Sequence, residues 1–92
     1  MTDSDILIIL KVDLQLSSTA IDGYLTSLID AARQYITQEG IAIQTTVADA
    51  MLVEMYAAYL YRSRREDAQG MPRYLRWALN NRLLSEKAGA GA

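Results

Sequence analysis

The chain has no histidine, no cysteine and no phenylalanine, and only one proline. Without cysteine there is no disulfide, no thiolate metal site and no cysteine nucleophile. Without histidine, the commonest general base and the commonest zinc ligand are both missing. Gly23, Gly40, Gly70, Gly89 and Gly91 are too scattered to build a phosphate-cradling loop. The longest aliphatic run, Ile6-Leu7-Ile8-Ile9-Leu10, is far shorter than the ~20 residues that span a membrane. A secretory leader opens on basic residues, and this start carries Asp3 and Asp5. The chain is therefore read as soluble, unsecreted and intact. Asp3-Ser4-Asp5 is not followed by ligands at calcium-loop spacing, so it reads as a helix N-terminus. The remaining carboxylates fall mainly at helix starts and on polar faces, as solvated acids do. Catalysis is not expected.

What is present is the material of one small folded domain. The 92 residues are 51% hydrophobic and 22% charged, too apolar to stay disordered. A globule of this length has a radius of gyration of roughly 12 Å. It buries only about 60–68% of its unfolded surface, so modest stability is expected. The formal net charge of −2 hides a strong asymmetry. Residues 1–55 set Lys11 and Arg33 against eight acids, a net of −6. Residues 56–92 set six arginines and Lys87 against Glu66, Asp67 and Glu86, a net of +4. Such polarity often accompanies an interaction role.

The clearest element covers residues 18–38. Ile21, Tyr24, Leu25, Leu28, Ile29, Ala32, Tyr35 and Ile36 form one stripe at helical spacing. Ser17 or Ser18 is placed to cap it, and Gly40 to end it in the left-handed conformation. A second helix is expected over residues 46–65, opened by Thr46-Val47-Ala48-Asp49, a capping box with Asp in place of Glu. Between Ala50 and Tyr61 its only charge is Glu54. Ala48, Leu52, Met55, Tyr56 and Tyr59 line one side, and Ala50, Val53, Ala57, Leu60 and Tyr61 the other. A helix apolar on both sides is buried on both. Either it is the central helix of its own bundle, or its second side meets another subunit.

Residues 66–71 read as a turn around Gly70. Pro72 then suits the first position of a helix over residues 72–86. Leu75, Ala78, Leu79 and Leu83 form its apolar face, widened by Tyr74, Trp77 and Leu84. Arg73, Arg76 and Asn80 share the polar side. The tail of residues 88–92 has nothing to bury and reads as flexible. The start is ambiguous. Thr2, Asp3 and Asp5 signal a helix start, whereas residues 10–16 alternate as a strand does. A lone strand has no partner in this chain, so a short helix over residues 3–11 and an extended connector are preferred. The expected architecture is an all-α four-helix bundle, one domain over residues 1–87.

Two interaction classes remain. Tyr59-Leu60-Tyr61-Arg62-Ser63-Arg64-Arg65 and Arg73-Tyr74-Leu75-Arg76-Trp77 interleave arginines, which pair with phosphates, and aromatics, which stack on bases. The same residues also suit a helix C-terminus and a small core, and the net charge is negative. The alternative is self-association. If the acidic and basic parts form different surfaces, copies meet head to tail, and such contacts close into rings where the rotation permits. The charges also have the option of neutralising each other within one monomer.

The order of these pieces resembles the head–tail connector, or adaptor, family of long-tailed bacteriophages, small all-helical proteins often described as possible DNA-packaging proteins. Leu25-Thr26-Ser27-Leu28-Ile29-Asp30-Ala31-Ala32-Arg33-Gln34-Tyr35-Ile36 looks like the family's middle block, with its Ala-Ala-Arg-like centre. Ala50-Met51-Leu52-Val53-Glu54-Met55-Tyr56-Ala57-Ala58-Tyr59-Leu60-Tyr61-Arg62-Ser63-Arg64 looks like its long apolar helix and Tyr-x-x-Arg-like ending. Met71-Pro72 looks like the proline-led segment. The likeness covers residues 4–80. Two departures stand out. The connector at Asp13-Leu14-Gln15-Leu16 is more apolar than usual. The C-terminal segment, with Arg73, Arg76, Trp77 and Arg82, is longer and more basic.

The resemblance implies a structural virion protein at the head–tail junction, assembled in the host cytoplasm. It implies a ring, commonly of about a dozen copies in the family, beneath the portal protein. That ring continues the DNA conduit without sequence-specific binding and receives the next head-completion or tail protein. No membrane partner, no catalysis and no cofactor are implied. Subunit or portal contacts are expected at Asp22, Asp30, Glu54, Tyr61, Arg62, Arg64, Arg65, Arg73, Arg76 and Trp77. Specifically, Asp22 and Asp30 of one copy are expected to meet Arg62, Arg64 or Arg65 of the next. The other readings are a small helical DNA-binding regulator and an unrelated helical protein-interaction module.

Overall fold

A computed structural model describes residues 2–65 and 70–91. Those residues form an all-α bundle of four helices: α1 (Asp3–Asp13), α2 (Asp22–Gln38), α3 (Val47–Arg65) and α4 (Arg73–Gly91). A 3₁₀ turn, Thr19–Ile21, leads into α2. None of the described helices is long and apolar enough to cross a membrane.

Both ends of α1 are fixed locally. The Thr2 hydroxyl accepts from the Asp5 amide at 3.2 Å, and the Asp5 carboxylate accepts from the Thr2 amide at 3.0 Å. This reciprocal box satisfies two amides that the helix leaves open. The helix ends two residues later than expected, and the alternating stretch is not a strand. Instead, the Leu16 amide donates to the Lys11 carbonyl at 2.8 Å and the Gln15 amide to the Val12 carbonyl at 3.1 Å. Between them Gln15 sits at φ 58°. This is a Schellman turn with a glutamine in the left-handed position that glycine usually takes. The hydrogen bonds hold it there despite the Cβ crowding.

The 18–38 element begins as the 3₁₀ turn, with the Ser18 hydroxyl accepting from the Ala20 amide at 3.1 Å. Leu25, Leu28, Ile29, Ala32 and Ile36 are the buried line of α2, whereas Tyr24 and Tyr35 stand at its exposed margins. Gly40 closes the helix at φ +103°.

α3 packs against α1, α2 and α4. Leu52 and Tyr56 on one side, and Val53, Ala57 and Tyr61 on the other, are all buried within the one chain. The central-helix reading therefore accounts for both apolar sides of α3 without a neighbouring copy.

In α4 the Pro72 carbonyl accepts from the Leu75 and Arg76 amides, so the proline caps the helix just ahead of its first residue. Only Leu75 and Leu79 are fully buried, with Ala78 and Leu83 partly so. Tyr74, Trp77 and Leu84 do not widen this face; all three are exposed. The backbone of residues 88–91, expected to leave the helix, continues α4. Of the turn expected at residues 66–71, residues 66–69 lie outside the described residues. With extents of 46 × 29 × 18 Å and a radius of gyration of 13.4 Å, the molecule is more elongated than a globule of its length.

Candidate interaction surfaces

The charges decide which surfaces remain free. Lys11 meets Asp22 at 2.8 Å, joining α1 to the start of α2. Arg33 pairs with Asp3, tying α2 back to α1. Arg62 reaches Asp13 at 3.3 Å. Arg76 grips both oxygens of Glu39 at 2.9 and 3.3 Å, fastening α4 to the end of α2. Acids of the first half thus meet arginines of the second inside one monomer.

The strongest polar site lies between the start of α3 and the middle of α4. Asp49 is only 3% exposed. Arg82 donates to it from Nε at 2.7 Å and from a second nitrogen at 3.1 Å. The same guanidinium donates to Glu86 at 2.8 Å and to the Ala42 carbonyl at 2.9 Å. The Glu86 carboxylate also accepts from the Ala42 amide at 3.2 Å. Half of the expected capping box exists: Thr46 accepts from the Asp49 amide at 3.2 Å. The other half is diverted, since the Asp49 carboxylate accepts from the Gln44 amide at 2.8 Å and from Arg82. Hydrogen bonds from Arg82 hold the Asp49 and Glu86 carboxyls below the usual carboxylate range. An open groove of about 570 Å³ runs past Gln44, Thr46, Asp49, Arg82 and Glu86. Its charges already satisfy one another, so the cluster works as a clasp that fixes the 41–46 connector and α4 to α3.

A second polar site is buried. Glu54 on α3 is 4% exposed, and its Oε2 has no hydrogen-bond partner among the described residues. Burial, then the hydrogen bond and charge of Asp13, push its carboxyl up to about 8, against the smaller opposing pull of Arg62. It is therefore held protonated at neutral pH, placed to share its proton with Asp13 at the end of α1.

The residues expected at an interface are dispersed. Glu54 and Tyr61 lie inside the chain, Tyr61 with its ring centroid 6.4 Å from that of Tyr24. Their place on the central helix puts them beneath α1 and α2, not on a docking face. Asp22, Arg62 and Arg76 are engaged within the chain. Asp30, Arg64 and Arg73 are exposed and make no ion pair among the described residues. The side chain of Arg65 lies outside the described residues.

Among the expected residues whose side chains are described, only Arg73 and Trp77 come together on an open face, one turn apart on α4. Trp77 is 71% exposed, Tyr74 51% and Leu84 65%. Sequence reasoning missed the Asp49–Arg82 clasp, whose only local sign was the four-residue spacing of Arg82 and Glu86. It also missed the outer side of α1, where Ile8 and Val12 are exposed. No group of three metal-ligating side chains occurs among the described residues. No family model, no curated protein and no solved structure matches the chain.

Proposed function

We propose that this chain is a structural subunit of the head–tail connector of a long-tailed bacteriophage. Copies assemble into a ring beneath the portal protein, receive the next head-completion or tail protein, and surround the passing DNA without reading its sequence. The role needs no catalysis and no cofactor. The observation that carries the reading is the uncovered stripe of Tyr74, Trp77 and Leu84 on α4. Such a stripe on a small domain whose other large apolar side chains are mostly packed suits a protein contact. The helix order adds support: a short first helix, the Ala31-Ala32-Arg33 helix, a long central helix and a proline-led last helix follow the sequence that the resemblance implies.

Co-sedimentation with the portal protein encoded by the same genome tests the proposal. The chain is expected to pellet with portal assemblies and to add a ring of density in electron micrographs. Failure to bind the portal, together with sequence-selective retardation of a short DNA duplex at moderate salt, would establish the regulator in its place.

A further inference from the structure

Two uncovered apolar faces of the chain carry opposite charge. On α1, Ile8 and Val12 are 62% and 73% exposed, one turn apart, on the side away from buried Ile6 and Leu10. Ser4 continues the same line at four-residue spacing, and Asp5 flanks it. On α4, Arg73, Trp77, Asn81 and Leu84 follow one another at steps of four, four and three, and Lys87 ends the stripe. Arg73 and Lys87 make no ion pair among the described residues. Asp3, Lys11 and Asp13 of α1 and Arg76, Arg82 and Glu86 of α4 are engaged within the chain, which leaves, among the described residues, Asp5 as the unpaired charge beside the α1 face and Arg73 and Lys87 beside the α4 stripe. Two α4 stripes face to face would set Arg73 and Lys87 against like charges, and two α1 faces would oppose Asp5 to Asp5. Only the mixed pairing joins apolar to apolar and acid to base.

We infer that the occupant of the α4 stripe is a second copy of this chain, presenting the outer face of its α1. The contact is heterologous, so each copy keeps one free face of each kind, and the assembly grows until it closes. This rests on the connector reading but assigns the subunit contact to surfaces other than the charged ends of α2 and α3. Of the residues that alternative uses, Asp22 and Arg62 are already paired within the chain, whereas Asp30 and Arg64 make no ion pair among the described residues.

Because the chain lacks cysteine, single cysteines report contacts without background. Chains carrying Ser4→Cys and Asn81→Cys, both at exposed sites, are mixed and oxidised. The mixed disulfide is expected to exceed both symmetric ones. Adding Trp77→Ala to the Asn81→Cys chain is expected to remove that excess by weakening association about tenfold or more. The helical circular dichroism should not change, since Trp77 lies outside the core. A statistical mixture of the three disulfides, dominance of either symmetric one, or a chain monomeric at every concentration overturns the inference. Portal binding measured on the same variants separates the two ideas. A chain that binds the portal without the mixed disulfide loses only this contact, and one that forms the disulfide but ignores the portal loses only the connector role.

Discussion

At the scale of single residues, Glu54 imposes the largest conflict between chemistry and location. A free carboxyl is ionised at neutral pH, and this one stays protonated because burial and Asp13 both oppose its charge. The unfolded chain releases that proton near pH 4.5, the folded chain only near pH 8. The folded state therefore holds more protons between those values, and stability falls as pH rises through the window. Glu54→Gln keeps a donor toward Asp13 and removes the titration. Its thermal midpoint is expected to exceed the parent's at pH 8, with the difference vanishing below pH 4.5. A parallel shift at every pH would show that the proton is not the cause. Little of this was legible in the sequence. Glu54 stood out as the only charge in an apolar stretch, and it was among the expected subunit or portal contacts. Its partner Asp13 is distant in the chain, and only the packing of α1 on α3 brings the two together.

The elements themselves were far more legible, because their signals are local. Helical spacing located α2, α3 and α4, while Thr2 and Thr46 cap helices as their side chains permit. Misreadings came where two patterns overlapped. Alternation over residues 10–16 mixes the last turn of α1 with its Schellman turn, and period two means nothing there. On α4 the apolar residues wrap most of the helix, but the helix packs mainly on α3 and so buries a narrow line. The Asp49–Arg82 clasp then holds it in place. Arg82→Met leaves the Asp49 charge buried without its partner, a loss of about 3–5 kcal/mol for such sites. Urea unfolding should show it, and adding Asp49→Asn should recover a large part by removing the orphaned charge. Equal stability of the single and double variants would mean that the clasp owes its worth to Glu86 and the Ala42 carbonyl instead.

For the whole molecule, the −6/+4 split looked like a pair of opposite surfaces, but three ion pairs, Asp13–Arg62, Glu39–Arg76 and Asp49–Arg82, cancel much of it internally. Composition reports how much charge each half holds and not where the fold spends it. The all-α class was readable from the pattern; the uncovered faces of α1 and α4 were not, because an apolar residue looks the same in sequence whether or not the bundle has room for it. The central position of α3 has one more consequence, for the order of events on the ribosome. Chains emerge from their N-terminus, and α1 and α2 cannot complete their core until residues 47–65 follow. The α4 stripe emerges only after α1, α2 and α3. A nascent copy thus offers its α1 face before it has an α4 stripe to receive a neighbour, which keeps chains made only as far as α3 from joining one another.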